Sequence, residues 1–276
     1  MTKIAICQTN TGLHPQNNAN LLVTMIEAAA RNGAQMVFTP EMSGLIDRNA
    51  ARAAASICDE NTDIMLTAMR GVAARCHIWI VLGSLAITGE QADGRLVNRS
   101  FVIDDRGIIR ARYDKLHLFD VDLTAGETWR ESARYAPGDR AVVVVTPAGQ
   151  LGLSVCYDLR FPTLYNALSQ AGAEILNIPA AFTVPTGQAH WHVLMRARAI
   201  ENGAYVIAAA QSGTHEDGRV TFGHSLVVDP WGQVLIDMGQ AVGVDYADID
   251  LAHVAKARLQ IPVIKHRRII PEVSHC

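Results

Sequence analysis

The segment GAQMVFTPEMSG (33–44) decides the fold, because it reads as a short apolar strand that follows a helix and ends at a proline. GAEILNIPAAFT (172–183) repeats this plan with its own Gly-Ala, four-residue strand and closing proline. Many strand–helix–strand units share the pattern, so chance resemblance is one explanation. The other is two similar halves packed face to face, with the ends of corresponding strands meeting in a cleft where ligands bind.

Strands and helices alternate along the rest of the chain. Apolar strands are predicted at 3–9, 35–40, 78–86 and 174–179, and helices at 17–31, 62–76, 163–171 and 190–202. Hairpins are predicted at 99–115, at 141–156 and around the DPWG turn at 229–232. Strand–helix–strand units indicate parallel sheets with helices outside, and the hairpins make those sheets mixed. With no Gly/Ser/Pro-rich linker, we expect one α/β domain over residues 1–276.

The composition is that of an ordinary soluble protein. The 276 residues are 49% apolar and 18% charged, with a net charge of −3. A basic excess typical of a nucleic-acid partner is absent. The start MTKIAICQTN is too quickly polar for a signal peptide, and apolar runs such as AYVIAAA (204–210) are too short for a membrane span. We therefore expect a cytoplasmic protein without a membrane partner.

The cysteines are five, widely scattered and without a CxxC pair, namely Cys7, Cys58, Cys76, Cys156 and Cys276. This predicts free thiols rather than a disulfide framework or a zinc ribbon. Cys156 differs from the others because it closes the alternating strand LGLSV (151–155). Its side chain is predicted on the face of Gly152 and Ser154, where small residues leave room for a ligand. A helical segment after it would direct N–H groups at the sulfur and lower its pKa.

Two further ionisable residues follow predicted core strands. Glu41 comes directly after QMVFTP (35–40), and Lys115 closes the second strand of the 99–115 hairpin. Taken singly, Glu41 is a helix cap or loop charge, and Lys115 is a solvated edge charge. Together with Cys156 they supply a base, a cation and a nucleophile for acyl transfer. Lys115 and the backbone N–H of Tyr157 would stabilise the oxyanion, and no histidine is required.

The blocks FTPEMSG (38–44), YDKLHLFD (113–120) and CYDLRFP (156–162) resemble, in this order, the signatures of the nitrilase (carbon–nitrogen hydrolase) superfamily. The resemblance implies a four-layer α-β-β-α sandwich with two mixed sheets, spanning about residues 3–260, with 261–276 as a C-terminal arm. It implies a catalytic set of Glu41, Lys115 and Cys156. It also implies a homodimer or higher homo-oligomer that uses no metal or cofactor.

The superfamily carries a second glutamate between its Lys and Cys blocks. WRES (129–132) is similar to that motif and indicates Glu131, which would position Lys115 and the substrate. Glu127 is the nearby alternative.

Two later segments, TGQAHWHVLMRARAIEN (186–202) and FGHSLVVDPWG (222–232), look most like the branch that hydrolyses deaminated glutathione, with ω-amidase as a near neighbour. Members of that branch usually read TGPAHWE, so Gln188 and His192 are departures, expected at the pocket side. The branch substrates are ω-amides of oxo-dicarboxylic acids, which implies an anion site. Arg160 is its first candidate, with a salt bridge to Asp158 or a helix-end charge as the competing interpretations. Phe182 is a further substrate-binding candidate.

The resulting hypothesis is an amidase that hydrolyses the terminal amide of a small oxo-dicarboxylic acid amide through a cysteine thioester. The alternatives are an ω-amidase or N-carbamoyl amino acid hydrolase with the same residues, or a non-catalytic binding protein on this fold. No metal site is predicted, because His190 and His192 flank Trp191 and neighbouring helical positions point apart.

Overall fold

The computed structural model describes residues 1–89, 93–122 and 128–275. Its strands are β1 (Thr2–Gln8), β2 (Met36–Phe38), β3 (Trp79–Thr88), β4 (Leu96–Ile103), β5 (Ile109–Asp114), β6 (Asp120–Asp122), β7 (Thr128–Arg130), β8 (Val143–Thr146), β9 (Gly149–Leu153), β10 (Ile175–Asn177), β11 (Tyr205–Ala208), β12 (Ser212–Thr214), β13 (Val220–Phe222), β14 (Leu226–Val228), β15 (Val234–Asp237) and β16 (Gly243–Ile249). Its α-helices are α1 (Pro15–Arg31), α2 (Ala50–Ala54), α3 (Ile64–Cys76), α4 (Pro162–Gln170), α5 (Val184–Asn202), α6 (Leu251–Gln260) and α7 (Val263–His266). Short 3₁₀ helices span Glu131–Ala133 and Cys156–Arg160.

Two six-stranded sheets organise these elements. The first has the strand order β16-β1-β2-β3-β4-β5, and the second has the order β15-β14-β11-β10-β9-β8. Each contains three parallel strands, β1-β2-β3 in one and β9-β10-β11 in the other, and antiparallel strands flank them on both sides. Both sheets are therefore mixed, as the alternation of crossovers and hairpins predicts.

Three apolar layers hold the sheets and helices together. Alternate residues of the central strands point to opposite faces. Ile6 and Leu153 therefore belong to the core between the two sheets. Leu22 and Met69 pack α1 and α3 on the outer face of the first sheet, and Trp191 packs α5 on the outer face of the second. The four-layer α-β-β-α sandwich is thereby confirmed.

The repeated segments at 33–44 and 172–183 contribute β2 and β10, which lie inside different sheets. The chain segments after these strands meet, since the Ala181 N–H donates to Glu41 Oε2 over 2.9 Å. The arrangement is the one expected if two similar halves pack face to face. It creates the cleft where the ionisable residues gather.

Several element boundaries differ from the sequence prediction. Helix α5 begins at Val184 rather than at 190, with Pro185 in its first turn, where the missing proline N–H costs nothing. The polar segment 116–139, for which no strand is predicted, contains β6 and β7, which pair antiparallel. No described helix is long and apolar enough to cross a membrane.

The predicted C-terminal arm begins with α7 and then runs against the outer helices. Arg267 anchors it by donating to the Asn166 carbonyl and to Asn202 Oδ1, over 2.7 and 2.8 Å respectively. Beyond this anchor Ile269 and Ile270 are exposed.

Candidate active site

A cavity of about 190 Å³ lies where the ends of the two sheets meet. Its wall contains all four predicted catalytic side chains, those of Glu41, Lys115, Glu131 and Cys156. They come from the chain segments that follow β2, β5, β7 and β9. The spatial convergence on which the sequence hypothesis depends is therefore present, and the acid, the ammonium and the thiol line one site.

Lys115 lies between two carboxylates at the centre of this site. Its Nζ is 3.0 Å from Glu41 Oε1 and 3.0 and 2.9 Å from the two oxygens of Glu131. Burial lowers the pKa of Lys115, but the charges of Glu131 and Glu41 more than offset this and hold it well above its ordinary value. Lys115 is consequently a fixed ammonium.

Glu41 is buried, and both its carboxylate and its backbone carbonyl accept hydrogen bonds. Its Oε1 also accepts from Asn98 Nδ2 over 3.0 Å, and Gln211 Nε2 donates to its carbonyl over 3.0 Å. Burial raises the pKa of Glu41, yet the Lys115 ammonium and hydrogen bonds from Cys156, Lys115 and Asn98 outweigh this and bring it below its ordinary value. Glu41 is thus an ionised acceptor that touches the thiol.

Cys156 sits at a sharp backbone turn instead of at the end of a strand. Strand β9 ends at Leu153, and Cys156 opens the following 3₁₀ helix with a φ of +48°. A non-glycine residue in this left-handed region is strained, and such strain is concentrated at functional sites. The turn places the sulfur in the cavity, next to Glu41.

The expectation of an acidified thiol is wrong for this structure. Burial and the neighbouring Glu41 carboxylate raise the pKa of Cys156 well above its ordinary value, although Lys115 and the Ala181 N–H act in the opposite direction. The resting group is therefore a neutral thiol that hydrogen-bonds a carboxylate. It needs a base at the moment of attack, which Glu41 can provide.

The Gly152–Ser154 face does not provide space for a ligand, contrary to the sequence prediction. A Cβ on Gly152 would lie 3.1 Å from Leu168 Cδ1 and 3.2 Å from Ala173 Cβ. Ser154 Oγ donates to the Asn177 carbonyl over 2.8 Å. This face packs against α4, and the ligand space lies at the turn beyond the strand.

Asp158 fixes the turn and was not identified from the sequence. It is fully buried, its Oδ2 accepts from the Val155 N–H (2.8 Å) and the Tyr113 hydroxyl (2.6 Å), and its Oδ1 accepts from the His117 N–H (3.0 Å). Tyr113 and His117 flank Lys115 in the chain. Asp158 therefore ties the segment bearing the ammonium to the turn bearing the thiol.

Tyr157, the predicted oxyanion donor, also lines the cavity. It is the second residue of the 3₁₀ helix that Cys156 opens, so its backbone N–H lies directly after the thiol-bearing residue. Glu127, the alternative to Glu131, lies outside the described residues.

The two predicted substrate-binding residues lie together on one wall. The Arg160 guanidinium stacks 5.5 Å above the Phe182 ring and reaches His190 Nδ1 at 3.3 Å. Asp158 is occupied by other donors, and no Arg160–Asp158 salt bridge forms in the described part of the chain. The salt-bridge interpretation of Arg160 is accordingly wrong.

A second guanidinium in the wall was missed by the sequence analysis. Arg219 is only 20% exposed, and its nearest carboxylate oxygen, on Asp217, is 3.9 Å away. The Arg219 guanidinium stacks 4.9 Å above the ring of Trp129. Its Nε and Trp129 Nε1 are buried donors that find no acceptor within the described residues. Arg134 lines the same cavity. The sequence contained no indication of Arg219, because it lies in the polar segment GTHEDGRV (213–220), at the turn between β12 and β13.

The two departures in the TGQAHWH segment do not line the cavity, contrary to expectation. Gln188 is exposed on α5. His192 points away from His190 and contacts Asp237 and His224 instead. Neither departure therefore alters the walls of this cavity.

A family model described as carbon-nitrogen hydrolase matches residues 3–259. The chain belongs to the carbon–nitrogen hydrolase family, a member of the nitrilase superfamily. The deaminated glutathione amidase of Yersinia enterocolitica is 39% identical over 268 residues, which covers 97% of this chain and 93% of the relative. The chain is thus an amidase acting on C–N bonds, and a purely non-catalytic role is not supported.

Solved structures of carbon–nitrogen hydrolases are similar to this one. The Caenorhabditis elegans NitFhit protein superposes with a TM-score of 0.89 at 39% identity, covering 97% of this chain and 65% of that longer chain. An amidase mutant from Nesterenkonia sp. AN1 superposes with a TM-score of 0.78 at 28% identity, covering 95% of this chain and 98% of its own. In that structure acrylamide has added to the active-site cysteine.

Proposed function

We propose that this amidase hydrolyses the terminal amide of a small oxo-dicarboxylic acid amide, similar to deaminated glutathione, through a thioester on Cys156. One observation carries the proposal: a buried Lys115 ammonium bridges Glu41 and Glu131 beside a thiol that hydrogen-bonds Glu41. This constellation holds a base, a fixed cation and a nucleophile around one cavity. Those are the groups that amide cleavage requires.

Acylation begins when Cys156 Sγ attacks the amide carbonyl carbon and Glu41 takes the thiol proton. The C=O electron pair moves to oxygen, and the resulting oxyanion is stabilised by the Lys115 ammonium and the Tyr157 N–H. When the C=O bond re-forms, the C–N bond breaks and Glu41 passes its proton to the leaving nitrogen. Ammonia or an amine departs, and the acyl group remains on sulfur as a thioester.

Deacylation uses the same carboxylate a second time. Glu41 takes a proton from water, the oxygen attacks the thioester carbon, and the C–S bond breaks. The proton then returns from Glu41 to the sulfur, which restores the resting thiol. Glu131 does not exchange protons in this scheme; it accepts from Lys115 and from the Phe119 N–H and so holds the ammonium in place.

The rest of the cavity suits a substrate that carries a carboxylate. The Arg219 side chain is 20% exposed, and among the described residues its nearest carboxylate oxygen is 3.9 Å away, on Asp217. The exposed part of its guanidinium can therefore bind a substrate carboxylate. Arg134 and Arg160 add positive charge to the same wall. The names of the relatives agree with this class of substrate.

The first experiment removes the nucleophile. Cys156→Ala should abolish amide hydrolysis while circular dichroism and thermal unfolding stay unchanged, and Cys76→Ala serves as the control cysteine. In wild type quenched during turnover, intact-protein mass spectrometry should detect an acyl adduct on Cys156. Substantial turnover by Cys156→Ala would refute the nucleophile assignment.

The second experiment identifies the substrate. Ammonia or amine release is measured with deaminated glutathione, α-ketoglutaramate and N-carbamoyl amino acids, and carbamoyl substrates also release carbon dioxide. We expect the highest kcat/KM with deaminated glutathione; preference for either of the others selects ω-amidase or N-carbamoyl hydrolase activity. Arg219→Gln should raise KM for a carboxylated amide at least about tenfold and leave a neutral amide unaffected, with exposed Arg106→Gln as control.

A further inference from the structure

A second group of chemically active side chains lies on the surface formed by α5 and the β14–β15 hairpin. His192 comes from α5, His224 from the turn before β14, and Asp237 from the end of β15. Within residues 1–89, 93–122 and 128–275, this is the one cluster of three such residues with ligand atoms all within 4.8 Å of one another. The geometry points to a binding site for a divalent transition-metal ion, with His192, His224 and Asp237 as its protein ligands.

The distances already approach those of a coordination sphere. Asp237 Oδ2 is 3.0 Å from His192 Nε2, and Asp237 Oδ1 is 2.8 Å from His224 Nδ1. Ligands ~2.1 Å from a metal lie ~3.0 Å apart at octahedral angles and ~3.4 Å apart at tetrahedral angles. The two separations involve different oxygens of one carboxylate, so an ion between the imidazoles would bind Asp237 through both oxygens or draw one of them toward both rings. All three ligand atoms lie within 4.8 Å of one another, and the partly exposed His192 ring can rotate to adjust its nitrogen to the ion.

Backbone geometry and neighbouring side chains hold two of the three ligands in place before any ion binds. His224 has a φ of +54°, in the left-handed region, and Trp191 Nε1 donates to its carbonyl over 2.7 Å. The Phe222 ring stacks on the His224 ring with centroids 4.4 Å apart. Asp237 Oδ1 accepts from the Gly239 N–H over 2.9 Å, which orients the carboxylate. Such supporting contacts are what orient metal ligands in proteins.

The donor set selects the class of ion. Two imidazoles and one carboxylate suit Zn²⁺, Ni²⁺, Co²⁺ or Cu²⁺, whereas Mg²⁺ and Ca²⁺ prefer oxygen ligands alone. Three protein ligands leave further positions for water, as in open rather than closed sites. None of the three lines the catalytic cavity, so the ion takes no part in the amidase reaction. By binding residues of both elements, it would stabilise the packing of α5 against the β14–β15 hairpin.

The test uses Zn²⁺ with tag-free full-length protein carrying Cys156→Ala, so that the catalytic thiol cannot bind the ion. Isothermal titration should give one high-affinity Zn²⁺ per chain, and Zn²⁺ should raise the unfolding temperature. His192→Ala and Asp237→Asn should each weaken binding at least about tenfold and remove the thermal shift. His190→Ala, two residues away on the same helix, should behave like the parent.

Two outcomes would overturn the proposal. Absence of stoichiometric Zn²⁺ binding in the parent would mean that the imidazoles simply donate hydrogen bonds to Asp237. Equal binding by the parent, His192→Ala and Asp237→Asn would place the ion on other side chains. His192 and Asp237 are partly exposed, so their substitution is not expected to unfold the protein, and circular dichroism checks this.

Discussion

At the scale of single residues, the site depends on a buried charge cluster that contains two carboxylates and one ammonium. Separating a buried ion pair by removing one partner costs ~3–5 kcal/mol, because the remaining charge stays desolvated. Lys115 has two carboxylate partners, so loss of one leaves it paired but displaced. Neutralising Glu131 should therefore displace the Lys115 ammonium while lowering the free energy of unfolding only a little.

Glu131→Gln tests this directly. We expect kcat to fall at least ~100-fold, because the ammonium shifts away from the developing oxyanion, while KM and the circular dichroism spectrum change little. Glu127→Gln is the matched control and should retain near-wild-type kcat. A large loss of kcat in Glu127→Gln, with kcat retained in Glu131→Gln, would mean that Glu127 rather than Glu131 positions Lys115.

The pH dependence of kcat/KM follows from the directions of the pKa shifts. Glu41 must be ionised to accept the thiol proton, and its lowered pKa places the acid limb below the ordinary carboxyl range. Cys156 and Lys115 have raised pKa values, so both stay protonated through neutral and mildly alkaline solution. We expect a flat profile between about pH 5 and 9, measured with a substrate that does not titrate there. A rise through pH 8–9 would instead indicate attack by a preformed thiolate.

At the scale of elements, the turn after β9 is held by one buried carboxylate. Tyr113→Phe removes the 2.6 Å hydrogen bond to Asp158 without removing the ring. We expect a loss of about 1.5–3 kcal/mol in unfolding free energy, because this is a hydrogen bond to a charged acceptor, and a fall in kcat with KM nearly unchanged. Tyr246→Phe is the control, because it removes a hydroxyl that accepts from the neutral Asn32 side chain outside the site, and both variants are measured by urea unfolding and steady-state kinetics. Unchanged kcat in Tyr113→Phe would show that the turn does not need this contact.

Helix α3 supplies an element-scale prediction away from the site. The Asp63 side chain caps the helix by accepting from the Leu66 N–H over 2.7 Å. Asp63→Ala should lower the unfolding free energy by about 1 kcal/mol, since it leaves that N–H without its cap, and kcat should not change. Asp63→Asn keeps the acceptor and should stay closer to wild type. Equal losses in the two variants would show that the charge, rather than the cap, stabilises α3.

At the scale of the whole molecule, the C-terminal arm packs on helices that lie 65 to 101 residues earlier in the chain. Arg267 donates to Asn166, Ser169 and Asn202, which lie on α4 and α5. Arg267→Ala should lower the unfolding temperature by a few °C, because several part-buried hydrogen bonds are lost together. Its exposed neighbour Arg268→Ala should leave the temperature unchanged, which calorimetry can establish. Equal temperatures for both variants would mean that the arm does not stabilise the sandwich.

The sequence by itself predicted mixed sheets, and its resemblance to the nitrilase superfamily implied the four-layer sandwich and the set of Glu41, Lys115, Glu131 and Cys156. Alternating apolar residues identify buried strands, and three ordered motifs identify the residues that follow them. These signals are local, so one chain segment carries each of them. Helices α1, α3 and α4, most of α5 and the hairpin turn at 104–107 were predictable for the same reason, whereas α2, α6 and α7 were not predicted.

Only the tertiary structure decided the protonation state of the thiol, the anchoring role of Asp158, the place of Arg219 in the cavity wall and the cluster at His192. Each depends on a side chain from a distant part of the chain: Glu41 beside Cys156, Tyr113 beside Asp158, Trp129 beside Arg219, and Asp237 beside His192. A pKa responds to burial and to neighbouring charges, and these exist only once the sheets have packed. Sequence patterns report which face of an element is apolar, whereas contacts between loops depend on how the elements are assembled.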